Sequence, residues 1–251
     1  MEKIIENLKI SYIDEGDSEN VVVLLHGWGA TKETMVPISN LIKDRYRVIV
    51  VDLPGFGNSD EPKEVFDSFD YVRIIMKFID ELSIYKATFI GHSFGGKISS
   101  IIGAKYPKQV DKLILIDSSG IRPNRGLSYY TKVYSYKLGK FFYNKIPFGN
   151  KEKRLEEFRQ KYGSDDYNQS SGIMRKIMVT VVNENIQPLL KDIESDTLII
   201  WGDQDDATPL YMAEIFEKDI KNSGLVVLRN SGHFSYIDDY GTFKAVINAY
   251  L

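Results

Sequence analysis

KATFIGHSFGGKISSIIGAK, residues 86–105, is the stretch that decides how the rest of the chain is read. The apolar run Ala87-Thr88-Phe89-Ile90 breaks at Gly91-His92-Ser93-Phe94-Gly95-Gly96. Apolar residues then return with helical spacing at Phe94, Ile98, Ile101 and Ile102. This pattern predicts a buried strand, a very tight turn and a helix, with a serine at the apex of a G-x-S-x-G frame. Such a turn holds the serine in a strained backbone conformation that lifts its hydroxyl clear of the sheet. Flanking glycines are required because a β-carbon at either position would collide as strand and helix close. The helix N-terminus adds free N–H groups and a partial positive charge that favour a developing oxyanion. Taken alone, the frame also fits an ordinary glycine-rich connection, so the surrounding chain has to decide.

Working outward, continuous β-branched and aliphatic runs stand at 21–25 (VVVLL), 47–52 (RVIVVD) and 112–117 (KLILID). Each is too short for a buried helix and reads as a strand covered on both faces. Residues 3–14 add one or two short strands, and helical patterns run over 31–44 and 69–82. Strand and helix therefore alternate, which predicts a parallel α/β sheet with right-handed crossovers and chemistry at the carboxyl ends of its strands. Strands return at 197–201 (TLIIW) and 225–228 (LVVL), and an amphipathic helix closes the chain.

Between these halves the rhythm changes. Residues 121–190 lack buried strand runs and show three helical patterns instead, over 127–141, 155–162 and 174–181. The expected organisation is a core of residues 1–120 and 191–251 with a helical cap at 121–190. Basic residues in that cap outnumber acidic ones by seven, although the chain has a net charge of −3. Two accounts fit: solvated helix faces, or a basic lid that draws anionic substrates toward the cleft.

Composition narrows the function classes. At 251 residues, with 43% hydrophobic and 27% charged residues, the chain can bury a large core. Its charge points to no nucleic-acid partner. No run is long enough to cross a bilayer, and the start lacks a secretory pattern, so no membrane insertion is expected. The absence of cysteine excludes disulfides, a thiol nucleophile and thiolate metal sites, and fits a cytoplasmic compartment.

A serine hydroxyl becomes nucleophilic when a base takes its proton and a third group orients that base. There are three histidines. His26 follows a strand directly. His92 adjoins Ser93, but neighbouring side chains at a turn point apart. His233, in the loop between the last strand and the last helix, returns to the carboxyl edge of the sheet and is the expected base. The orienting acid should lie between Ser93 and His233, where 201–209 (WGDQDDATP) offers three aspartates. Asp205 is the first choice and Asp206 the second. Asp203 reads as a turn residue, and Asp117 is an alternative acid on the preceding strand. The oxyanion-hole donors are expected at the backbone N–H groups of Phe94 and Trp28, with His26 bracing the Trp28 loop.

HGWG (26–29), DLPGFGNSD (52–60), GHSFGG (91–96), WGDQD (201–205) and SGHF (231–234) together resemble the α/β-hydrolase superfamily, in order and spacing, over essentially the whole chain. The resemblance implies an eight-stranded, mostly parallel sheet, a cap after the sixth strand, and a Ser-Asp-His triad falling on Ser93, Asp205 and His233. A serine stands where dehalogenase and epoxide-hydrolase relatives carry aspartate, which argues against those activities. No metal or other cofactor is expected.

Within the superfamily the chain is similar to small bacterial carboxylesterases and to hydrolases that cleave carbon–carbon bonds in ring-fission products. The first expectation is a small-molecule ester or related acyl substrate cleaved through an acyl-enzyme. The alternative is carbon–carbon hydrolysis of a diketo acid, for which relatives use a cap arginine and aromatics near the anionic end. Arg122 and Arg175 are the candidates, with Tyr129, Tyr130, Tyr134, Tyr136, Phe141, Phe142 and Tyr143 lining the pocket or forming the cap's own core. A third class is a hydrolase fold used as a ligand sensor or signalling partner. Oligomeric state is left open.

Overall fold

The computed structural model describes residues 1–123 and 170–251. Its strands are β1 (Glu2–Ile5), β2 (Leu8–Glu15), β3 (Val21–Leu25), β4 (Arg47–Val51), β5 (Ala87–His92), β6 (Val110–Ile116), β7 (Asp196–Gly202) and β8 (Ser223–Leu228). They form one eight-stranded sheet in the order β1-β2-β4-β3-β5-β6-β7-β8. β1 with β2 and β2 with β4 are antiparallel; every later pairing is parallel. The described helices are α1 (Val36–Ile42), α2 (Ser68–Glu81), α3 (Phe94–Lys105), α4 (Gly172–Asn183), α5 (Gln187–Leu190), α6 (Tyr211–Asp219), α7 (Ser235–Asp238) and α8 (Tyr240–Tyr250).

The uninterrupted apolar strands have a simple cause. Successive side chains point to opposite faces, and here both faces are covered. Val23 and Leu25 join Ile49, Val51, Phe89 and Leu115 in one core with residues of α2, α3, α4 and α6. Val22 and Leu24 join Val48, Val50, Ile114 and Ile116 in a second core with α1 and α8. α2 starts at a complete capping box, with Asp67 accepting from the Phe69 and Asp70 N–H groups and Asp70 accepting from the Asp67 N–H. The pattern at 31–44 resolves into a short 3-10 turn, Lys32–Met35, followed by α1.

β3 lies between β4 and β5, so the chain leaves β3 to one side, crosses back over it and continues on the other side. The crevice between the ends of β3 and β5 is the switch point where open α/β sheets place their ligands. Among the described residues, the chain leaves the sheet after Ile116 and next enters it at Asp196. The described end of this excursion contains α4, whose Met174, Ile177, Met178 and Val181 are all buried, as the helical spacing predicts. The patterns over 127–141 and 155–162, and the seven cap aromatics, lie outside the described residues. No helix among the described residues is long and apolar enough to cross a membrane.

Candidate active site

β5 ends directly at Ser93, whose φ is +51°. A non-glycine residue in that region is strained, and the surroundings hold it there. The Ser93 N–H donates to Ile116 O at 3.0 Å, and Ser93 O accepts from the N–H groups of Lys97 and Ser119. A β-carbon on Gly91 would run into the Gly95 carbonyl, and one on Gly95 would run into that of Leu25. Close contact of β3, β5 and α3 thus explains both glycines of the frame.

His233, in the loop between β8 and α7, meets Ser93 across the ends of the strands. Its Nε2 stands 2.9 Å from Ser93 Oγ, and its Nδ1 stands 2.8 Å from Asp205 Oδ2. Asp205 follows β7 and is 4% exposed. Its Oδ1 accepts from the Ala207 and Thr208 N–H groups, both at 2.8 Å, and its Oδ2 lies 2.7 Å from Thr208 Oγ1. Burial alone would raise the Asp205 pKa. The hydrogen bond and charge of His233, with the Thr208 donors, outweigh burial and hold it below the ordinary carboxylate range. A carboxylate fixed in this way accepts the Nδ1 proton and turns the Nε2 lone pair toward the serine.

The other aspartates fall elsewhere. Asp203 accepts from the Ser231 N–H and sits in the turn after β7. Asp206 is exposed. Asp117 is fully buried and accepts from the Gly202 N–H and from both the N–H and hydroxyl of Ser235, so it ties β7 to α7. Burial pushes its pKa up to about 7 against those donors.

Trp28 and Phe94 both border the space above Ser93, their rings edge to face with centroids 5.5 Å apart. Phe94 is the first residue of α3, so its N–H has no acceptor within the helix. The Trp28 loop is held from below. His26 Nε2 accepts from the Leu53 N–H at 3.0 Å, which puts the ring proton on Nδ1, donated to Gly27 O at 2.7 Å. Burial lowers the His26 pKa to about 4, so the ring is neutral. A buried ion pair between Lys32 and Asp52, 2.6 Å apart, fastens the same loop to the segment after β4.

Three relationships escaped the sequence reading. His92 is not idle beside Ser93: its Nε2–H donates to the His233 carbonyl at 2.7 Å. Thr208 fixes the Asp205 carboxylate. Lys97, a charge within the buried stretch of α3 from Phe94 to Gly103, is itself buried and reaches Glu184 beyond the end of α4. That misplaced charge was the available signal. Arg122 donates to Asn183 O and Arg175 to Ser170 O, and neither is among the described residues lining the cavity.

The cavity has a volume of about 450 Å³, within the range of small-molecule sites. Ser93, His233, Trp28 and Phe94 border it on the sheet side, while Met178, Val181 and Val182 of α4 face it from the excursion after β6. No cluster of metal-ligating side chains occurs among the described residues.

An eight-stranded sheet of this order, with Ser, His and Asp positioned as a catalytic triad at its carboxyl edge, defines an α/β-hydrolase-fold enzyme. The chain belongs to the alpha/beta hydrolase fold family, whose profile matches residues 20–240. It is 25% identical over 248 residues to "Lipase 3" of Moraxella sp. (strain TA144), covering 89% of this chain and 76% of that protein. It is equally 25% identical, over 270 residues, to the 2-hydroxy-6-oxononadienedioate/2-hydroxy-6-oxononatrienedioate hydrolase of Escherichia coli (strain K12), covering 98% and 92%. Among solved structures it is similar to an esterase (EaEST) from Exiguobacterium antarcticum, with 26% identity, a TM-score of 0.77, and coverage of 100% and 99%.

Proposed function

We propose that this chain is a serine hydrolase that cleaves a carbon–carbon bond beside a ketone in an anionic, ring-fission-type diketo acid. This reading takes precedence over the small ester expected first from the sequence. Ser93 attacks the ketone while His233, oriented by Asp205, takes its proton. The N–H groups of Trp28 and Phe94 receive the oxyanion. Collapse breaks the carbon–carbon bond, and the carbanion leaves because conjugation in the keto acid delocalises its charge. Protonated His233 returns the proton to that carbon, and a water activated by the same ring then releases the acyl group from Ser93. The core at 1–120 and 191–251 and the cap at 121–190 are part of this proposal, with the cleft between them.

The observation that carries the chemistry is His233 held at both ring nitrogens, by Asp205 and by Ser93. The substrate class is supported by the match to the Escherichia coli dienedioate hydrolase, which spans nearly all of both chains, whereas the lipase match leaves about a quarter of that protein unmatched. Ester hydrolysis is the second reading, favoured by full-length likeness to the Exiguobacterium esterase. The two differ only in leaving group, carbanion or alkoxide, so the triad serves either. Side-by-side kcat/KM on a 2-hydroxy-6-oxo-dienedioate and on p-nitrophenyl butyrate separates them. The proposal expects the dienedioate to be preferred; a preference for butyrate gives the ester reading the site.

A further inference from the structure

The wall of the cavity is apolar over Ile121, Met178, Val181, Val182 and Met212, and one charged pair interrupts it. Lys97 lies one helical turn beyond Ser93, its N–H bonded to Ser93 O at 3.1 Å, and both residues border the cavity. It is 2% exposed. Its ammonium donates to Val181 O, stands 3.4 Å from Glu184 Oε2, and has a third N–H with no acceptor among the described residues.

Glu184 is better served than its partner. Its carboxylate accepts from the Ser68 N–H at 3.1 Å and from the Ser68 hydroxyl at the start of α2, as well as facing Lys97. An ammonium uses three acceptors; among the described residues one is close, one sits at the outer limit of hydrogen-bond length and no third is present. Burial lowers the Lys97 pKa, and the Glu184 charge offsets this only in part. A buried cation short of acceptors among the described residues is costly, and an incoming anionic oxygen relieves that cost.

We propose that Lys97 is a specificity-determining residue of this hydrolase, its ammonium receiving a carboxylate that the substrate carries away from the scissile carbonyl, while Glu184, anchored by Ser68, holds the ammonium in place. The inference rests on the serine-hydrolase reading and narrows its substrate to carboxylates. It places the recognition charge on α3, the core helix that follows Ser93, rather than on Arg122 or Arg175.

Two matched ester pairs test it: p-nitrophenyl hydrogen glutarate against p-nitrophenyl valerate, and 4-acetoxybenzoate against phenyl acetate. They place the extra carboxylate on the acyl side and the leaving side respectively. The readout is the anionic-to-neutral ratio of kcat/KM, which does not depend on the folded fraction of a variant. Lys97→Met is expected to lower this ratio roughly tenfold or more in at least one pair. Glu184→Gln, which removes the charge that offsets burial of the ammonium and holds it in place, is expected to lower it in that pair as well. Ratios unchanged in Lys97→Met, with turnover still dependent on Ser93, overturn the inference and leave the hydrolase reading standing. Turnover that survives Ser93→Ala, or no turnover of any of the four esters together with none of the 2-hydroxy-6-oxo-dienedioate, defeats the hydrolase reading and this inference with it.

Discussion

The His92 ring donates from Nε2 to the backbone carbonyl of His233, 2.7 Å away and 141 positions along the chain. Burial, together with the charge of His233, lowers the His92 pKa to about 3, so the ring stays neutral and its tautomer is set by this one bond. The residue before the candidate nucleophile thereby fixes the loop that carries the candidate base. His92→Asn, too short to reach that carbonyl, is expected to lower kcat by about ten- to a hundredfold with a much smaller change in KM. His92→Gln, whose amide can span the gap, should recover part of the loss. Steady-state kinetics on one substrate check both, and a fall confined to KM speaks against a positioning role.

Strain at Ser93 has a stability consequence separate from chemistry. Its φ of +51° disfavours any residue with a β-carbon. Ser93→Ala keeps the β-carbon and should melt close to the wild type, whereas Ser93→Gly should be more stable by about 1 kcal/mol. Both should be inactive. Denaturant midpoints measured on the three proteins check the order.

Gly95→Ala should fail to give folded protein, because its β-carbon would overlap the Leu25 carbonyl where α3 crosses β3. The His26 carbonyl is in the way as well, and both are backbone groups that cannot swing aside as a side-chain tip would. Gly224, in β8, has open space around its missing β-carbon, so Gly224→Ala is the matched control and should fold. Circular dichroism and soluble yield distinguish the two.

Acid should destabilise the fold through its buried histidines. His26 and His92 have folded pKa values of about 4 and about 3, below the ordinary 6.5. The unfolded chain therefore takes up protons first as pH falls. Their contribution is fully present above 6.5 and is lost progressively as pH falls toward those folded values. Asp117, raised to about 7 from 3.8, works in the opposite direction, its contribution being lost as pH rises between those values. With two groups against one, Tm should fall from pH 6.5 to pH 4, and Asp117→Asn should steepen the fall. Thermal melts across that range read it directly.

Much of this molecule is legible in the chain because its signals are local. The strand runs are apolar without alternation because both faces of the sheet are covered, and the Gly91 and Gly95 spacing follows from contacts within a few residues of Ser93 and with the neighbouring strand. Chain order alone points to His233 and Asp205. Lys97 with Glu184 and His92 with His233 depend instead on pairs 87 and 141 positions apart, which no local period encodes. The leaving group is not legible for a related reason: the motifs around Ser93, Asp205 and His233 describe proton transfer common to ester and carbon–carbon cleavage, while the choice between them belongs to the cavity wall.

On the proposed function, His233, bridging Asp205 and Ser93, makes Ser93 the nucleophile. A fluorophosphonate probe with intact-mass and peptide analysis tests it most directly. One adduct per chain, located on Ser93, absent in Ser93→Ala and formed far more slowly in His233→Asn, is the expected result. An adduct on another residue, or labelling of Ser93 at an unchanged rate without His233, would contradict it.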